Sequence, residues 1–127
     1  MTFATEGRSR RFRDLASARV MVTSLMGVKQ VKTLAFIVMP DHVHWLIQLT
    51  DDVALSRVLQ TVESTSARRL NRYLTRKGRV WQAGFHDHAI RKEEDIKKAA
   101  RYIIANPVRA GLVASVRDYS HWDAIWV

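Results

Sequence analysis

The sequence predicts an α+β fold in which helices pack on an antiparallel sheet, and three observations carry that expectation. Lys32–Met39 and His42–Leu49 are runs of β-branched and apolar residues joined by Pro40-Asp41, the clearest hairpin signal in the chain. Apolar residues recur at helical spacing in stretches that begin near Asp14, Ala54 and Glu93. The two periods alternate in the order β-α-β-β-α-β-α, which suits a ferredoxin-like or RRM-like sheet.

Met1–Thr5 reads as the end of a first strand, followed by a basic loop. Asp14 is placed to cap a helix whose apolar positions are Leu15, Ala18, Val22, Leu25 and Met26, and Gly27 stops it. After the hairpin, a long helix is expected from about Ala54 to Thr75, with Leu55, Val58, Leu59, Val62, Leu70, Tyr73 and Leu74 on its buried stripe. Gly78 closes that region. Val80–Arg91 is expected to be a strand or a bent extended segment, with a bulge at Gly84. A last helix runs from Glu93 to about Ala105 and is stopped by Asn106-Pro107. The tail from Gly111, with Trp122 and Trp126, is expected to pack back onto the rest.

At 127 residues the chain is long enough for one domain with its own core, spanning 1–127. It has no cysteine, which excludes disulfides and thiolate metal sites and fits a reducing cytoplasm. The longest apolar run, Leu34–Pro40, is far too short to span a membrane, and Arg8, Arg10, Arg11 and Arg13 interrupt any signal-peptide pattern. Lys and Arg number 21 against 12 Asp and Glu, a net charge of +9 with a pI near 10.7. Such an excess suits nucleic acid or an acidic membrane surface, or simply a solvated basic protein. Distribution favours phosphate tracking: Arg68, Arg69, Arg72, Arg76, Lys77 and Arg79 lie close together with no acid among them.

In a strand, residues two apart share a face, so His42 and His44 stand side by side with Leu46 and Gln48. Val43, Trp45, Ile47 and Leu49 form the opposite row and belong to a core. The histidine row offers two imidazoles spaced to hold one metal ion. On the last helix the apolar stripe is Ile96, Ala99, Ala100, Ile103 and Ile104, and Tyr102 projects roughly 110° from its middle. Its neighbours one turn away are Lys98 and Asn106. Such a tyrosine is either an amphipathic border residue or a phenol kept for chemistry. Beside a metal site, a phenol can attack a phosphodiester. Asn106 could add a carbonyl oxygen as third ligand, in a set suited to Mg²⁺ or Mn²⁺ with a phosphate, though also open to Zn²⁺, Ni²⁺ or Co²⁺. His86 and His88 form a second His-x-His pair, read as polar or phosphate-contacting residues ahead of a second metal site. Trp81 could stack on bases.

Phe36–Leu46 resembles the His-hydrophobic-His (HUH) segment of single-tyrosine transposases, and Tyr102–Val113 resembles their tyrosine helix. The form is most similar to REP-associated tyrosine transposases, transposase-like proteins of repetitive extragenic palindromes. Val80–Arg91 and Asp118–Trp126 match the same family in the same order, so the resemblance runs from about residue 31 to the end. It implies the HUH endonuclease fold and a site-specific endonuclease and strand transferase acting on single-stranded or hairpin DNA. It also implies His42 and His44 as metal ligands, Asn106 as the third, and Tyr102 as the nucleophile that forms a 5′-phosphotyrosine link. DNA contacts are expected from the 68–79 cations, Lys98 and Arg109, in a monomer or homodimer. Family members open with a full aromatic-x-Val-Thr strand where this chain offers only Thr2–Thr5, so a shortened and less stable first strand is expected. Two other functions are compatible with the residues. One is a non-catalytic nucleic-acid-binding module, and the other a small metal-dependent hydrolase in which Tyr102 is an acid or a binding group.

Overall fold

The hairpin is the centre of the sheet. In the computed structural model, β2 (Val31–Met39) and β3 (His42–Leu49) pair antiparallel, with Met39 opposite His42, Ile37 opposite His44 and Phe36 opposite Trp45. The structure describes residues 1–8, 10–12, 14–29, 31–49, 54–85, 93–115, 119 and 121–124. A shift in register between Thr33 and Ala35 inserts one extra residue in β2. Trp45 Nε1 donates to Thr33 Oγ1 beside this bulge, at 3.1 Å.

The short β1 (Thr2–Ala4) pairs with β3, setting Thr2 against His44, Phe3 against Val43 and Ala4 against His42. Its other side is also bonded. Thr5 and Trp81 form a bridge, Glu6 N–H donates to the Val80 carbonyl and Gln82 N–H donates to that of Ala4, both at 2.8 Å. The 80–82 segment therefore stands where the ferredoxin-like order puts its fourth strand, and β1 is interior. Of the expected strand 80–91, residues 80–85 are described and form this bridge without a longer ladder. Residues 86–92, His86 and His88 included, lie outside them.

A C-terminal strand was not foreseen. β4 (Trp122–Ala124) pairs antiparallel with the outer edge of β2, giving the order β1-β3-β2-β4. Sequence reasoning put the tail against the domain without a partner, because its pairing with Ala35–Ile37 leaves no local pattern.

Helices α1 (Leu15–Met26) and α2 (Leu55–Leu74) cover one face of the sheet. Asp14 caps α1 as expected, its carboxylate accepting from Ser17 N–H at 2.7 Å. The buried face of α1 is Ser17, Ala18, Met21, Ser24 and Leu25, whereas Leu15 and Met26 are exposed. The expected stripe was displaced because it followed hydropathy. Ser24 is buried with its hydroxyl donating to the Val20 carbonyl, a local bond that lets a polar residue face the core. Tyr73 and Leu49 were also expected inside and are exposed, since both stand near the ends of their elements.

Phe3, Val43 and Trp45 meet Phe36, Val38, Met21, Val58 and Val62 in this layer. Side chains of this size contribute about 1.5–3 kcal/mol each when fully buried. Trp81 joins the same core, edge-on to Phe3 at 4.8 Å, with its indole N–H donating to buried Ser66. It is not available to stack on bases.

The opposite face carries α3 (Glu93–Ile104) and a single further turn, α4 (Asn106–Arg109). Ala100 and Ile103 of α3 pack on Ala35 of β2 and Leu46 of β3. This second contact is small.

Candidate metal and nucleophile site

The pleat places Thr2, Ala4, Ile37, Met39, His42 and His44 on the α3 face of the sheet. The two imidazoles lie edge to face with ring centroids 4.9 Å apart. Each Nδ1 already has a partner. His42 Nδ1 is 2.7 Å from Asp41 Oδ1, and His44 Nδ1 is 2.8 Å from Thr2 Oγ1. Both Nε2 atoms are thereby left as the ring nitrogens that could ligate a metal, because a partner on Nδ1 fixes ring orientation and tautomer.

Asp41 is itself held. Arg8 Nε donates to its other carboxylate oxygen at 3.1 Å. Burial alone would raise the Asp41 carboxyl, but the His42 hydrogen bond and the Arg8 charge outweigh it and keep the acid below its usual range. His44 is pushed down to about 4, mainly by burial and then by the neighbouring His42, the N-terminal amine, Arg109 and Arg8. At neutral pH its ring is uncharged and carries a free lone pair, as a ligand requires.

Tyr102 stands on α3, nearly two-thirds exposed, where the helical wheel put it. Just beyond it, Pro107 lacks the N–H that would answer the Ile103 carbonyl. Asn106 Nδ2 donates to that carbonyl instead, at 3.1 Å. Since an amide nitrogen must face a carbonyl, the Asn106 Oδ1 is the end left over as an acceptor. α3 lies against β2 and β3, so the tyrosine helix and the histidine pair occupy the same side of the sheet.

These donors fit a divalent ion: two imidazole nitrogens with occupied Nδ1 atoms, and an amide oxygen turned away from the Ile103 carbonyl. Among the described residues no cluster of three or more His, Cys, Asp or Glu competes with them. Thr2, Asp41 and Arg8 were missed at sequence level. Asp41 had a signal, being next to His42 in the turn, but Thr2 is 42 positions from His44 and had none.

The cations divide. Lys98 and Arg109 belong to the α3–α4 side, and the Arg109 guanidinium lies 3.8 Å above the centre of the Tyr102 ring. The 68–79 group rides on α2 and the turn after it, in the layer covering the opposite face. All six residues of that group are exposed. Arg69 is tied inward, donating to Ser24 Oγ at 2.9 Å and to the Val20 carbonyl at 3.3 Å, which clasps α2 to α1.

A small antiparallel sheet with a paired-histidine face beside a tyrosine helix is the arrangement of a transposase domain, and the sequence matches accordingly. The chain belongs to the IS200-like transposase family, whose model matches residues 2–106. It is 34% identical over 88 residues to the REP-associated tyrosine transposase of Escherichia coli K12, covering 67% of this chain and 49% of that protein. It is 33% identical over 101 residues to a Haemophilus influenzae protein provisionally named a REP-associated tyrosine transposase, covering 71% and 57%. The chain thus spans about half the length of these relatives. Its fold matches a solved structure of a REP-associated tyrosine transposase bound to a REP hairpin, with a TM-score of 0.76 at 23% identity, over 95% of this chain and 72% of that one.

Proposed function

We propose that the protein is a metal-dependent, site-specific endonuclease and strand transferase for single-stranded DNA, with hairpins of repetitive palindromes as substrates. The observation that carries this reading is the pair of imidazoles with both Nδ1 atoms engaged, set on the sheet face that α3 and Tyr102 share. His42, His44 and Asn106 would hold Mg²⁺ or Mn²⁺. The ion would polarise a non-bridging phosphoryl oxygen of the scissile phosphate.

Tyr102 Oη is the nucleophile. It loses its proton and bonds to phosphorus, while the bond from phosphorus to the 3′ oxygen breaks. The products are a 5′-phosphotyrosine link and a free 3′-OH, and attack by a 3′-OH on that link rejoins strands without ATP. Lys98, Arg68, Arg72, Arg76, Lys77 and Arg79 supply cations for phosphates on two sides of the sheet. Arg69, clasped to α1, contributes less. The domain acts over 1–127 in the cytoplasm, as a monomer or homodimer.

The test is a denaturing gel of the protein with labelled hairpin DNA taken from beside its own gene, in Mn²⁺ or EDTA. A slow-migrating covalent adduct that needs metal and is lost in Tyr102→Phe is expected. Cutting by Tyr102→Phe at the wild-type rate would overturn the nucleophile. Salt-sensitive binding with no adduct would make the chain a nucleic-acid-binding module instead.

A further inference from the structure

An exposed tyrosine on a helix surface samples several rotamers, and a nucleophile in that state must be ordered anew for each turnover. Tyr102 is not left in that state. α3 ends at Ile104, and Ala105 links it to the single turn α4, with Ala105 N–H donating to the Arg101 carbonyl and Arg109 N–H to that of Ala105. Arg109 is seven residues beyond Tyr102, about two helical turns. A long side chain on a helix leans back toward the N-terminus, which carries the guanidinium over the ring of Tyr102. At 3.8 Å from the ring centre the planar group covers one face of the phenol, a favourable cation–π geometry. The Pro107 turn, stitched by the Asn106 amide, fixes the position of the residue that does the covering.

Sequence reasoning gave Arg109 to a phosphate. Its observed seat is over the Tyr102 ring.

We infer that Arg109 is a positioning residue for Tyr102: by stacking on one face of the phenol it holds the ring in a single orientation with Oη directed away from the helix. This rests on Tyr102 being the nucleophile, as proposed above. Arg109 forms no bond to the reacting atoms. It restricts the ring before DNA arrives, so its contribution belongs to the rate of the bound complex and not to affinity.

Two measurements separate this inference from the reading it rests on. In the free protein, NMR should show the Arg109 side-chain resonances displaced by the ring current of Tyr102, and the displacement should vanish in Tyr102→Ala. Undisplaced resonances would overturn the stack whatever the enzyme does. With hairpin DNA and Mn²⁺, single-turnover adduct formation at saturating DNA should fall about 3- to 30-fold in Arg109→Ala, the range of a cation–π contact between exposed and desolvated settings. The Kd for the hairpin should change by less than the rate does. Arg109→Lys keeps the charge without the planar face and should recover less than half of the lost rate. Full recovery by lysine, or a loss confined to Kd, would overturn positioning and make Arg109 a phosphate contact. Wild-type cutting by Tyr102→Phe would instead remove the nucleophile assignment and leave the NMR result standing.

Discussion

The two faces of the sheet are made by the same strands and do opposite things. On the α1–α2 side Phe3, Val43 and Trp45 are sealed from solvent among apolar neighbours. One residue along in each case, Thr2, His42 and His44 face the other way and answer to hydrogen bonds instead of packing. A strand gives each face every second residue, so a site can be added to one face without taking a residue from the core behind it. Stability and chemistry should then be separable by register.

The sharpest way to break that division is to cross it. Trp45→Ala empties the core side and should cost about 3–5 kcal/mol in urea unfolding, whereas His44→Ala, one step away, should cost far less. Comparable losses for the two would mean that the histidine face is also holding the fold together.

The next effect is confined to the open face. Asp41→Asn keeps the shape of the turn but removes the charge beside His42, and second partners of metal-ligating histidines are typically worth 10–100-fold in metal affinity. Calorimetric titration with Mn²⁺ should show that weakening with the unfolding midpoint nearly unchanged. Unaltered affinity would separate Asp41 from the site.

The smallest effect sets one face against the other through pH. Glu63, on α2, is pushed up to about 7 by burial, with the Arg79 charge opposing. Its folded form binds a proton that the unfolded chain has released, so its contribution falls as pH rises from about 4.5 to 7. His44 runs the other way. Its pKa is depressed from 6.5 to about 4, so stability is lost as pH falls through that window. The two slopes partly cancel in the wild type. In Glu63→Gln the opposing slope is gone, and the unfolding midpoint should gain more between pH 5 and pH 7.5 than in the wild type. An identical profile would remove Glu63 from the balance.

What the sequence made legible was local. The alternation of β3, the Asp14 cap and the stop at Asn106-Pro107 each depend on residues within a few positions, and each is found in place. Tyr102 was placed by helical geometry alone. What stayed hidden depends on partners far along the chain. The edge pairing of β4 with β2, the Thr2 hydroxyl on His44 and the Arg69 clasp on α1 join segments with no shared pattern. Trp81 shows a third limit. Its side chain type suited either a base platform or a core, and only the Ser66 hydroxyl in reach of its indole decides for the core.

The stitch between Asn106 and Ile103 also bears on how this chain can change over generations. Pro107 creates the vacancy that the Asn106 amide fills, so the two positions form one heritable unit. A lineage that exchanges Pro107 for a residue with an N–H releases the amide to rotate and loses the fixed direction of its oxygen. A lineage that exchanges Asn106 for Asp loses the donor and strands a carbonyl. Substitutions at the two positions should therefore travel together, and an amide-proline pair should persist wherever the oxygen of that amide is still in use.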